Sequence, residues 1–188
     1  MTFIFEEQSI KGAFIITPQV FGDDRGYFME TYKKDLFEPA GIKGEFVQDN
    51  ESCSSKGVLR GLHFQKEHTQ GKLVRVCQGI VYDVAVDVRP GSDTYGQYIG
   101  VELNSESKNM LYIPPGFAHG FLVMSETAVF VYKCTDIYDP ASEGGIPWND
   151  ETLAIKWPEL DVPYITSAKD EQHASFKNQS FDWANKYL

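Results

Sequence analysis

Between residues 57 and 134 the chain breaks into seven short runs rich in Val, Ile and aromatic residues. They are Gly57–Phe64, Gly71–Cys77, Ile80–Val88, Tyr98–Leu103, Met110–Ile113, Gly120–Val123 and Ala128–Cys134. Turn-forming stretches such as Arg89–Asp93 (RPGSD) and Asn104–Ser107 (NSES) separate them. β-Branched and aromatic side chains suit a pleated, half-buried surface, and many short strands at this spacing pair into a sandwich or barrel. Ile80–Val88 shows the period plainly. Ile80, Tyr82, Val84, Val86 and Val88 share one side, and Val81, Asp83, Ala85 and Asp87 share the other. Side chains alternate faces along a strand, so this run has one apolar face and one mixed face.

The remainder is organised around that β core, which spans about residues 45–135 of a single domain covering 1–188. No repeat or long Pro/Gly/Ser linker interrupts it. Two apolar segments, Thr2–Ile10 and Ala13–Phe21, read as strands ahead of the barrel and would be exposed edges if left unpaired. Helix is expected near Lys33–Pro39 and in Ala168–Leu188, where breakers are few. Asp136–Pro163 carries Pro140, Pro147, Pro158 and Pro163 and reads as loop.

Charge narrows the partners. Seventeen Lys and Arg against 27 Asp and Glu give −10, which argues against nucleic acid because no global positive field collects phosphates. The excess is uneven. Cys53–Arg89 holds six bases and three acids, while Asp136–Leu188 holds ten acids and four bases. A small anionic ligand is therefore expected at the locally basic β core. No run approaches the roughly 18 apolar residues that span a bilayer, and the N-terminus has no basic n-region. Cys53, Cys77 and Cys134 are too scattered for a disulfide framework or a zinc knuckle. They read as small buried apolar side chains in a cytoplasmic protein.

Of four histidines, His68 and His173 lie in polar segments and read as surface residues. His63 (LRGLHFQ) and His119 (PPGFAHG) lie in or at the start of strands. Each also suits a satisfied core or rim position. Pro114–His119 has the Pro-x-Gly-x-x-His pattern of the second cupin signature. The first signature is broken: Phe64 and Gln65 follow His63, and Thr69 or Gln70 stands where the carboxylate ligand belongs. Gln is a poor ligand for a transition metal, and two isolated histidines fall short of a stable site. The expectation is a cupin without a metal. A free imidazole is then available as a general base, best when a carboxylate orients its other nitrogen. Asp83, Asp87 and Asp170 are candidates for that carboxylate. Asp83 is also expected to hydrogen-bond His119.

Six segments occur in register: Phe21–Tyr32, Gln48–Gln65, Gln70–Val76, Ile113–Phe121, Tyr132–Asp150 and Ser167–Asp170. Together they closely resemble the dTDP-4-dehydrorhamnose 3,5-epimerase family over about residues 15–172. The resemblance implies a mainly β, cupin-like jelly-roll barrel of antiparallel strands with short terminal helical segments. It also implies a cofactor-independent isomerase that inverts C3 and C5 of a dTDP-linked 4-keto-6-deoxyhexose. His63 matches the family's base, Asp170 its orienting carboxylate, Lys72 the cation beside the C4 oxygen, and Tyr132 the acid on the opposite face. Arg25 and Arg60 match phosphate or sugar contacts. Gln48, Asp49 and Asn50 match the nucleotide segment. Phe28, Glu30, His119, Tyr138, Glu143 and Lys169 match further substrate contacts. The family also implies a homodimer with exchanged N-terminal segments. A mono-epimerase or 3,4-ketoisomerase on a related substrate, and a non-catalytic sugar-binding cupin, are the alternatives. A metal-dependent cupin is disfavoured by Gln65.

Without the resemblance, Lys72 is an ordinary strand lysine, Asp170 a helix cap and Tyr132 a core aromatic.

Overall fold

The computed structural model describes residues 2–188 and is mainly β, a cupin-like jelly roll. Two antiparallel sheets face one another. In spatial order the first holds β1 (Phe3–Glu7), β2 (Phe14–Pro18), β10 (Met110–Ile113), β7 (Lys72–Gln78), β12 (Thr127–Cys134) and β5 (Gln48–Ser55). The second holds β13 (Glu143–Gly145), β6 (Leu59–Gln65), β11 (Phe117–Val123), β8 (Ile80–Asp87) and β9 (Tyr98–Asn104). A separate hairpin pairs β3 (Val20–Asp23) with β4 (Gly26–Met29). All seven anticipated runs are strands, and so are the two apolar N-terminal segments.

β5 was not anticipated, because its sequence, QDNESCSS, is polar throughout. It is an edge strand paired along its whole length with β12. Its burial alternates without any alternation in polarity: Gln48, Asn50, Ser52 and Ser54 are the more covered residues. Polar side chains suit a strand whose inner face borders a polar pocket and whose outer face meets water.

Three apolar layers hold the sheets. Val74, Val76, Val81, Ala85, Leu111, Phe121 and Phe130 pack between them. Leu62, Phe64, Val84, Val86 and Val88 pack outside the second sheet, beneath Ile146, Leu153, Phe176 and Phe181 of the C-terminal part. Phe14, Ile16, Leu73, Met110 and Tyr112 pack outside the first sheet against Phe3, Phe37 and Ile42. The two faces of β8 therefore divide unexpectedly. Its all-apolar face points outward, under the C-terminal part. The mixed face, with Val81, Asp83 and Ala85, points into the barrel.

The C-terminal part is not the helix expected for 168–188. It forms three short 3-10 turns, Asp170–Gln172, Phe176–Asn178 and Asp182–Tyr187. Its apolar residues serve as separate anchors on the second sheet rather than as one helical stripe. Asp150 caps this arrangement by accepting from the backbone N–H groups of Thr152, Leu153 and Phe176. Arg89 is buried against Asp87 and donates to the carbonyl of Tyr187. Near the N-terminus the expected helix is one turn, α1 (Lys34–Phe37). The cysteine expectation holds for Cys134, which is buried, and fails for Cys53 and Cys77, which are exposed on outward-facing strand positions.

Candidate active site

His63 lies on β6 opposite His119 of β11. Between His119 and Phe121 the pairing shifts, so that Arg60 to His63 on β6 spans fewer residues on β11. An extra residue in one strand re-aims side chains. Here it puts Arg60 and His63, three apart, into the same open pocket of ≈ 310 Å³, with Glu143, Lys169 and Asp170. Gly61 makes the close strand approach possible: its φ is +109°, and a Cβ there would meet the backbone of His119 and Gly120 at 2.6 Å.

His63 Nε2 stands 2.6 Å from Asp170 Oδ1. The two residues are 107 positions apart, so the fold alone unites them. Asp170 opens the first 3-10 turn and is 3% exposed, so it is not the solvent-facing helix cap that it otherwise resembles. Burial would raise its carboxyl. The hydrogen bonds from His63, the Gly61 N–H and Ser167 outweigh that and hold it below the ordinary carboxylate value. An ionised carboxylate only accepts, so in the neutral ring His63 carries its proton on Nε2 and its lone pair on Nδ1. Of the three carboxylates open on sequence grounds, this is the one His63 uses. Asp83 accepts from His119 Nε2 at 2.9 Å, and Asp87 pairs with Arg89. The expected Asp83–His119 bond is thus present, deep on the mixed face of β8.

The opposite sheet supplies the complementary groups. On β7, Lys72 alternates with Leu73 and so points inward with Val74. Among the described residues it forms no ion pair. Burial pushes its ammonium below the ordinary value, against the pull of Cys134, Asp83 and Glu143. Tyr132 on β12 is half-buried beside Phe130 at the mouth. Burial raises its hydroxyl above the ordinary value, and the neighbouring charges of Arg60 and Glu143 act on it. It therefore remains protonated at neutral pH and able to donate.

Around these groups the remaining expected residues form a hydrogen-bonded rim. Glu143 accepts from Tyr138 Oη at 2.7 Å and from Lys169 Nζ at 2.5 Å. Arg60 donates to Ser54 Oγ at 3.1 Å. Gln48 donates to Asn50 Oδ1 at 2.9 Å and accepts from the backbone N–H of Tyr138 at 2.8 Å. Gln65, in the broken metal signature, ties the backbones of His68, Ile137 and Asp139 together.

Four expected residues are not gathered there. Asp49 is set apart from Gln48 and Asn50: period-2 alternation sends it to the outer face of β5, where it pairs with Lys133 at 3.0 Å. Arg25, Phe28 and Glu30 belong to the β3–β4 region. Arg25 is 90% exposed and pairs with Asp23, and Phe28 is 67% exposed. Conversely, His173 is no surface residue. Its side chain is 12% exposed and its ring stands 5.9 Å from that of His63. The polar string around it (EQHAS) gave no sign of this, because the 3-10 turn at Asp170–Gln172 swings it inward.

Burial also lowers the imidazoles of His119 and His173 below their ordinary 6.5. Both stay neutral in the fold while the unfolded chain takes up protons below about 6.5. Stability is therefore full above that value and declines as the pH falls through it. The Asp170 contribution is lost only further down, below the ordinary 3.8. The melting temperature is expected to be lower at pH 5.5 than at 7.5; a rise on acidification contradicts this.

A family model described as dTDP-4-dehydrorhamnose 3,5-epimerase matches residues 7–178. A protein of that name from Salmonella typhimurium is 55% identical over 164 residues, 86% of this chain and 89% of its own. A Legionella pneumophila dTDP-6-deoxy-D-glucose-3,5-epimerase, solved in complex with dTDP-4-keto-L-rhamnose, superposes with a TM-score of 0.93 at 47% identity, covering 96% of each chain. A 3'-monoepimerase from Streptomyces bikiniensis, in complex with dTDP-quinovose, superposes at 0.85 with 32% identity over 90% of this chain and 86% of its own.

Proposed function

The chain belongs to the dTDP-4-dehydrorhamnose 3,5-epimerase family, and we propose from that premise that His63, Lys72 and Tyr132 carry out the double inversion. The enzyme is an isomerase of the carbohydrate epimerase class. It converts dTDP-4-dehydro-6-deoxy-D-glucose to dTDP-4-dehydro-L-rhamnose. The observation that carries the residue assignment is the His63–Asp170 pair at 2.6 Å, with Tyr132 and Lys72 on the facing sheet.

The chemistry follows from those positions. C3 and C5 both flank the C4 ketone, so either carbon acid is weakened if the enolate oxygen is stabilised. His63 Nδ1 takes the proton, the C–H electron pair becomes the C=C bond of the enolate, and the carbonyl π pair moves onto O4. Asp170 stabilises the imidazolium that forms. Lys72 meets the developing oxyanion. Its ammonium is held in a poorly hydrated site, where its field is strong. Tyr132 returns a proton to the carbon from the other side. A single base on one face would restore the starting configuration, so inversion needs this second group. His63 then loses its proton to solvent and Tyr132 regains one. No step calls for a cofactor or a metal.

Arg60, Gln48, Asn50, His119, Tyr138, Glu143 and Lys169 provide the donors and walls for the nucleotide and sugar. The guanidinium fork of Arg60 fits phosphate oxygens. Arg25, Phe28 and Glu30 serve the site of a second subunit. Phe28 is a large aromatic left 67% exposed on that hairpin, and Tyr27 beside it is 58% exposed although Lys108 lies over its ring. An exchange of N-terminal segments within a homodimer covers them. Light scattering is then expected to return twice the 21.3 kDa chain mass. The exposed thiols of Cys53 and Cys77 suit the reducing cytoplasm.

A second reading, inversion at C3 alone, is favoured by the similarity to the Streptomyces bikiniensis monoepimerase. Product configuration decides between them. Incubation with dTDP-4-keto-6-deoxyglucose is expected to give proton couplings changed at both C3 and C5; change at C3 alone supports the second reading.

A further inference from the structure

His173 has no part in the chemistry above, yet its Nε2 is buried and has no hydrogen-bond partner among the described residues. A buried imidazole nitrogen left unsatisfied is destabilising. Asp170 Oδ1 lies 3.7 Å away, too far for a hydrogen bond. The same oxygen is 2.6 Å from His63 Nε2. The three donor atoms, two imidazole nitrogens and one carboxylate oxygen, all lie within 4.8 Å of one another. The 3-10 turn explains the arrangement, since residues i and i+3 eclipse and bring His173 over Asp170. Gly145, paired with His63 on β13, keeps the space clear; a Cβ there would collide with His173 Nε2.

We propose that His63, Asp170 and His173 form an inhibitory site for a divalent transition ion such as Zn²⁺. Two imidazoles and one carboxylate are a donor set that borderline ions accept. Bonds of about 2.0–2.2 Å require donor separations of about 3.3–3.5 Å in a tetrahedral site. The Asp170–His173 gap already matches within a few tenths of an ångström. The His63–Asp170 gap opens once the ion replaces the proton between them. The partly exposed His63 edge provides the entry path, and the pocket leaves the fourth position open to water.

The consequence for the base is specific. The ion takes the lone pair at Nε2, so the Nε2 proton departs and the neutral ring carries its proton at Nδ1. The ring's proton count is unchanged, but the nitrogen facing the substrate can no longer accept. The ion sits behind the ring, away from the sugar. Turnover is lost while substrate binding persists. This consequence rests on His63 being the base; the metal site itself does not.

The test titrates chelator-treated protein with ZnCl₂, by calorimetry and by rate. The expected result is one equivalent bound and kcat lowered about 10²-fold or more. KM changes little, and EDTA reverses the loss. His173→Phe, which keeps ring volume, and His173→Gln are each expected to need about tenfold more zinc or beyond for half-inhibition relative to their own zinc-free rates. Absence of stoichiometric binding, or equal zinc sensitivity of wild type and both variants, overturns the site. One equivalent bound at His173 with turnover unaffected overturns the coupling and counts against His63 as the base.

Discussion

Replacing His63 by Ala is expected to lower kcat/KM by about 10³-fold or more, a loss of about 4 kcal/mol of transition-state stabilisation. Exchange of solvent protons at C3 and C5 is expected to disappear together, because one imidazole serves both carbons. Neither remaining imidazole at the site offers a substitute. His119 is 7% exposed and commits Nε2 to Asp83, and His173 lies behind His63 against Asp170. Burial of Asp170 adds a structural complication: without His63 it is a buried charge missing its main partner. His63→Asn, which can still donate to Asp170, separates the two effects. It is expected to restore the melting temperature lost in His63→Ala without restoring exchange. Exchange within about tenfold of the wild-type rate at either carbon in both variants contradicts the assignment.

Tyr132→Phe is expected to divide the reaction rather than stop it. The ring remains beside Phe130, so packing is retained and the change removes one hydroxyl. Deprotonation by His63 continues, and the enolate is reprotonated from the side of the base. Wash-in of solvent deuterium therefore survives, while net inversion falls by about 10²-fold or more. The raised hydroxyl value of Tyr132 has the matching consequence that its proton is retained through neutral pH. Equal losses of exchange and inversion would remove Tyr132 from the role of acid and leave it a wall of the pocket.

The sequence carried Tyr132 only through resemblance and left His63 one of two candidate histidines, and the reason is physical. His63 and Tyr132 sit on strands of different sheets, and Asp170 arrives from a turn near the C-terminus. Periodicity reports which side of a strand a residue occupies and not which strand it will face. It did predict Asp83 on the mixed face of β8, and the structure places that residue against His119. The same rule, applied to β5, separates Asp49 from Gln48 and Asn50, which a match by segment alone had grouped together. β5 itself was illegible because its burial pattern is written in polar residues. The C-terminal part misled for the opposite reason. A stretch with few breakers and scattered apolar residues satisfies helix rules, yet Phe176, Phe181 and Ala184 are placed by the outer surface of the second sheet. His173 follows from that error: its inward turn depends on the 3-10 geometry that replaced the helix.

One base and one acid on facing sheets, acting in turn at two carbons flanking a ketone, must leave a solvent-derived hydrogen at each carbon. Incubation with dTDP-4-keto-6-deoxyglucose in D₂O, followed by NMR, tests it most directly. Two deuterons per product molecule are expected, one at C3 and one at C5, with both centres inverted. A single deuteron, or inversion with no deuterium incorporated, would contradict it.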